Sequence, residues 1–202
     1  MSMMKRRMML MPSDTIISVL WNQLCYSIDA DNWRAYNTSN ASVSFADGVA
    51  TLTWLKSGQG YAYSIRPKVS DVQVTLGDVM YLSYEINPSV TANYSTEFAG
   101  GVVPSSSISC PSDTWTRIAF MENAGRTGSG LPYLMTKRGG SAAIGNVCRC
   151  RNPIYINLTA MFGAGNEPAT ISEFETQCLK NNVDLCSFHA RDATGTTINW
   201  KI

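Results

Sequence analysis

Charge is scarce in this sequence. Asp, Glu, Lys and Arg make up 15% of its 202 residues, and 16 basic against 15 acidic side chains leave a formal charge of +1. A balance so close to neutral gives no electrostatic case for nucleic acid as a partner. Histidine is nearly absent: His189 stands alone, so a Cys/His metal site or a Ser/His/Asp triad has little to draw on. It reads as structural or exposed. The six cysteines are Cys25, Cys110, Cys148, Cys150, Cys178 and Cys186. Cys148 and Cys150 form a C-x-C, too tight for a zinc knuckle, and no C-x-x-C pair exists. Thiols made in a reducing cytosol are the plain reading, ahead of disulfides, because no secretory context supports a framework. No run approaches the roughly 18 apolar residues of a membrane span, which argues against membrane insertion. No G-x-S-x-G elbow holds a serine. The carboxylates Glu85, Glu97, Glu122 and Glu167 are scattered, whereas glycoside hydrolysis needs a close pair. The expectation is a protein that is not an enzyme and has no catalytic residue.

What is plentiful is Gly, Ser, Thr and Asn, beside 45% hydrophobic residues. That mixture favours β-structure with polar, hydrogen-bonding faces over a charged helical bundle. From about residue 32 strand signals recur between turns, as in a sandwich. Residues 41–45 and 49–55 flank Asp47 and Gly48, the strongest hairpin signal in the chain. Tyr61, Tyr63 and Ile65 share one face of a strand. In the strand over 79–86, Met80, Leu82, Tyr84 and Ile86 share one face, and Tyr81, Ser83 and Glu85 take the other. Residues 87–113 read as a loop-rich middle, 114–121 as a strand anchored by Trp115, and 122–130 as a glycine loop. Residues 131–136 and 148–158 supply the last strands. Residues 14–28 fit neither period and read as a strand pair or a short helix.

The organising stretch is I-N-L-T-A-M-F-G-A-G-N-E-P-A-T-I-S-E-F-E, residues 156–175. Ile154, Ile156 and Leu158 alternate as in a half-buried strand. Gly163, Ala164, Gly165 and Asn166 then force a turn, which Pro168 closes, and Glu167 serves as an acceptor tying loop amides. Thr170 and Glu173 form a capping box for a helix over about 170–181, with Ile171 and Phe174 inward and Asn181 and Asn182 as its stop.

This stretch resembles the L-T-x-x-F-G-A-G-N-E-P-x-T-x-x-E-F segment of bacteriophage and prophage virion proteins. There it closes a jelly-roll domain similar to carbohydrate-binding modules. Leu158, Thr159, Phe162, Gly163, Ala164, Gly165, Asn166, Glu167, Pro168, Thr170, Glu173 and Phe174 all match. With the strand order upstream, the resemblance covers residues 32–178. It implies an all-β, jelly-roll β-sandwich with a short C-terminal helix and terminal arms. The corresponding division is an N-terminal assembly arm over 1–31, the sandwich over 32–168, and a capped helix with a packing tail over 169–202. Residues 1–11, M-S-M-M-K-R-R-M-M-L-M, hold six of the ten methionines. They make no convincing signal peptide, and read either as an arm packing into another subunit or as an unordered start.

The implied role is a non-enzymatic virion subunit of a tail, fibre or head decoration, assembled in the bacterial host cytoplasm, whose sandwich contacts host-surface polysaccharide. The alternative is a free-standing or enzyme-associated carbohydrate-binding module. Other virion proteins and further copies of the chain, a trimer first, are the implied partners. Sugar binding rests on aromatic rings stacked against sugar C–H faces beside hydrogen-bonding groups. The candidates are outward-facing Tyr81 with Glu85, together with Tyr61 and Tyr63, then Trp54 and Tyr155. Each of these can instead fill core or interface. A structural calcium ion is the one cofactor the resemblance leaves open, although Asp29, Asp31 and Asp47 form no recognisable loop.

Overall fold

A computed structural model describes residues 15–20, 28–59, 64–68, 72–98, 107–130, 132–138, 141–183, 185 and 197–202. Tyr61, Tyr63, His189, Cys25, Cys186 and the methionine-rich start lie outside them.

Ten strands build two antiparallel five-stranded sheets that face each other as a jelly-roll sandwich. One sheet runs β10 (Ser107–Cys110), β9 (Ala92–Phe98), β13 (Pro132–Arg138), β6 (Ile65–Pro67) and β2 (Trp33–Ala35). The other runs β11 (Thr116–Asn123), β8 (Val79–Pro88), β15 (Val147–Asn157), β4 (Val49–Trp54) and β3 (Ala41–Ala46). Two-stranded pairs join β12 (Gly128–Gly130) to β7 (Val72–Val74) and β14 (Ser141–Ala142) to β5 (Gly58–Gln59). The β3–β4 hairpin turns on Asp47 and Gly48 with φ of 50° and 73°, the paired positive values that match strand twist. Its register sets Ala41 against Trp54 and Phe45 against Ala50.

Period two decides the core. Leu52, Trp54, Met80, Leu82, Tyr84, Ile86, Cys148, Cys150 and Tyr155 point inward from one sheet, and Trp33, Ile65, Tyr94 and Leu134 from the other. Burial disfavours the thiolate at two of the thiols: it pushes Cys110 up to about 11 and Cys148 well above the usual thiol value.

A second core lies outside the sandwich. Here α1 (Leu158–Phe162), α2 (Ile171–Lys180) and a ribbon of β1 (Ile16–Leu20) and β16 (Thr197–Lys201) cover the outer face of the β8 sheet. Val19, Tyr81, Ile154, Ile156, Leu158, Met161, Phe174, Cys178 and Trp200 bury one another there. Trp200 stacks on Phe174 at 6.4 Å between centroids, and its indole nitrogen donates to Gln177 Oε1 at 3.0 Å. In α2 the Thr170 hydroxyl accepts from Glu173 N at 3.1 Å, while Glu173 Oε2 accepts from Ala169 N at 2.8 Å. The helix ends at Asn181, and Asn182 takes a φ of 56°.

The structure departs from the expected layout in four places. The supposed loop over 87–113 contains β9 and β10, which pair with each other. The glycine loop after β11 includes β12. Residues 158–162 form a helix, because Asn157 Oδ1 caps it by accepting from Ala160 N at 2.9 Å. Trp115 is no core anchor: it is half-buried, with the Arg151 guanidinium 4.2 Å above its ring. The sandwich is instead anchored by Trp33 and Trp54, both fully buried.

Candidate functional site

The alternation in β8 correctly separates Tyr81 and Glu85 from the core-facing residues, yet that second face is not open. Tyr81 is 0% exposed. Its ring meets Phe174 edge-on at 4.7 Å, its hydroxyl donates to Glu175 Oε1 at 3.0 Å, and it accepts from Arg117 Nη2 at 2.7 Å. Arg117 closes the triangle on Glu175 Oε1 at 2.8 Å. Burial raises the Tyr81 hydroxyl far above its ordinary pKa. Glu85 is also occupied: Oε2 accepts from Arg151 Nε at 2.7 Å and from Asn152 Nδ2 at 2.6 Å. Tyr81 therefore has no surface left for a sugar, while Glu85 is half-buried and held by Arg151 and Asn152. The reason is tertiary, since a strand's period reveals that a face is distinct but not what later packs upon it. Trp54 and Tyr155 are likewise corrected as candidates, being 0% exposed in the main core.

The F-G-A-G-N-E-P turn is a knot of backbone bonds. Gly163 and Gly165 both sit at φ 84°, which a Cβ would strain. Glu167 Oε2 accepts from Gly165 N at 2.7 Å and Oε1 from the Thr159 hydroxyl at 2.6 Å. Asn166 N donates to Gly163 O at 3.1 Å, and Pro168 is buried. Thr159 in turn accepts from Val79 N at 2.9 Å, tying the turn to β8. This turn joins structure to structure.

The opposite sheet carries an outward pair of aromatic rings. Among the described residues, both helices and the terminal ribbon lie against the β8 sheet, leaving the outer face of the β9–β13–β6–β2 sheet without a covering element. In β2 and β6 the burial alternates, so Trp33, Ala35, Ile65 and Pro67 go inward and Arg34 and Arg66 outward. Tyr36 continues the outward row and is 42% exposed. Leu134 pairs with Ile65, which sets Tyr133 beside Arg66. The rings of Tyr36 and Tyr133 are 4.6 Å apart and tilted by 40°, and the Arg66 guanidinium lies 5.8 Å from the Tyr36 centroid. Burial raises the Tyr133 hydroxyl and the nearby Tyr36 adds to it, while Arg66 pulls the other way. Glu97 holds the register position opposite Tyr133 on β9. Toward the sandwich edge, Arg34, Lys68, Thr38, Val43 and Phe45 line a groove of ≈ 470 Å³.

Two rings and a guanidinium so arranged offer π-faces for C–H groups and donors for hydroxyls. Sequence reasoning missed the site. Its signals were present in the alternation of W-R-A-Y and P-Y-L, but Tyr36 and Tyr133 are nearly a hundred positions apart and nothing local says that β6 unites them.

Among the described residues no group of three or more His, Cys, Asp and Glu comes together to hold a metal ion. Asp29 spends its oxygens on Asp31 N, Asn32 N and Asn32 Nδ2 at 2.9, 2.8 and 2.7 Å.

The sequence matches no family model and no curated protein. Solved structures do resemble it. A CBM4 structure aligns at 14% identity and a TM-score of 0.50 over 62% of this chain and 94% of its own. The second N-terminal cellulose-binding domain of Cellulomonas fimi β-1,4-glucanase C aligns at 15% identity and 0.47, over 71% and 96%. The N-terminal cellulose-binding domain of the same enzyme gives 14% and 0.41, over 65% and 91%. The first of these likenesses shows a shared fold: this chain has the jelly-roll β-sandwich of that CBM4 structure.

Proposed function

We propose that the chain binds glycans on its open sheet face, through Tyr36, Tyr133 and Arg66, and performs no chemistry on them. One observation carries this reading: an outward tyrosine pair, braced by an arginine, on a sheet that no element among the described residues covers, in a fold shared with a CBM4 structure. Tyrosine rings present apolar faces at low entropic cost, and a braced pair is already arranged before the ligand arrives. Glu85, Glu167 and Glu175 are engaged in the contacts described above, which supports a binding role over an acid–base one.

The place of action we propose is a phage particle, as a tail, fibre or head-decoration subunit. The support is the resemblance over residues 158–174, whose glycines and Glu167 are built into the scaffold here. Homo-oligomerisation, with a trimer first, and contacts with other virion proteins belong to the same reading by analogy.

The test is attachment of fluorescently labelled protein to cells of the bacterium carrying the gene, with that cell's soluble surface polysaccharide as competitor. Saturable attachment removed by the polysaccharide, and weakened in Tyr133→Ala, supports the reading. A folded protein that attaches to nothing would leave it an architectural subunit. Immunogold labelling of purified particles tests the location separately.

A further inference from the structure

The glycan reading leaves the charges on the same face unexplained. Arg34 and Arg66 are direct cross-strand partners in the β2–β6 pair, and both lie on the outward side. Like charges directly opposite one another destabilise a sheet, so their persistence side by side calls for something that offsets it. Among the described residues no ion pair engages either arginine. The Nε of Arg66 is shielded from solvent without a hydrogen-bond partner. Lys68 lies two residues beyond Arg66 and lines the edge groove with Arg34, although its ammonium donates to Ala30 O and its charge is partly answered by Asp29. Two other arginines are paired, Arg117 with Glu175 and Arg151 with Glu85. In a chain of net charge +1, two guanidinium groups with no carboxylate partner among the described residues, one of them against two rings, form a local feature.

We propose that the ligand of this face is an acidic polysaccharide, one whose sugars carry carboxylates. The proposal rests on the glycan-binding reading and adds the ligand's class. The tyrosines take the sugar ring, and Arg34 and Arg66 supply fork-shaped donors that match a carboxylate bidentately. The charge pattern favours a polysaccharide over nucleic acid. A phosphate backbone is held by an extended basic stripe and releases many counterions, whereas the two arginines occupy one cross-strand position.

The experiment is affinity electrophoresis of the full chain in gels containing polygalacturonate, alginate, polysialic acid, hydroxyethylcellulose or xylan. Carboxyl-reduced polygalacturonate and a single-stranded oligonucleotide run beside them. Expected is retention by at least one acidic polymer. That retention falls about tenfold on carboxyl reduction, in Arg34→Gln or in Arg66→Gln, and as salt rises from about 50 to 300 mM. Retention by neutral polymers equal to that by acidic ones, unchanged in both arginine variants, overturns the charge proposal and leaves glycan binding standing. Retention by no polysaccharide overturns both. Tighter capture by the oligonucleotide overturns the choice of ligand class. Circular-dichroism melts of each variant show that a loss of retention is not a loss of fold.

Discussion

A phenol ring can be packing material or a binding platform, and the surface above it decides which. Tyr81 shows the first outcome, and Tyr133, on the opposite face of the sandwich, is proposed for the second. Tyr81 lies under Phe174 with its hydroxyl held by Arg117 and Glu175, so its removal acts on stability. Tyr81→Ala is expected to cost about 3–5 kcal/mol, the usual penalty for emptying a buried aromatic site. Tyr81→Phe keeps the ring and leaves Arg117 paired with Glu175, so it should cost only about 1 kcal/mol, the net worth of an ordinary hydrogen bond. Urea unfolding of the two variants measures the difference. Equal and small costs would mean that Phe174 does not pack on that ring in solution.

At the scale of elements, the covering layer comes from far apart in the chain. The β1–β16 ribbon joins residues 16–20 to 197–201, and α2 fits between that ribbon and the β8 sheet through Phe174 and Trp200. Trp200→Ala should destabilise the protein by about 3–5 kcal/mol and expose Tyr81, which near-ultraviolet circular dichroism and acrylamide quenching would register. A cooperative melt unchanged from wild type would show that the ribbon contributes nothing to the fold. This layer also marks where sequence reading stops. The β3–β4 hairpin, the inward face of β8, the capped helix and the 163–168 turn are legible because each is written within a few residues, in alternation, Asp-Gly or a capping box. What covers Tyr81 is not legible, because Ile17, Ile198 and Trp200 show only that a short apolar strand exists and not which sheet receives it. Strands β9 and β10 were hidden for a related reason: the pairing of β9 with β13 is long-range, β10 is held only by β9, and serine and glycine around them read as loop.

For the whole molecule, the proposed function rests on the asymmetry between the sheets. One outer face is spent on a second core; the other, which no element among the described residues covers, carries Tyr36, Tyr133, Arg66 and Arg34. The direct measurement compares these faces in one titration. Wild type, Tyr133→Ala and Tyr81→Phe are each titrated calorimetrically with the polysaccharide that retains the wild type. The account predicts that Tyr133→Ala weakens binding about tenfold or more, about 1.4 kcal/mol, with its thermal melt unchanged, while Tyr81→Phe binds as the wild type does. Undiminished binding by Tyr133→Ala, with loss in a folded Tyr81→Phe, would place the sugar on the covered face and contradict the account.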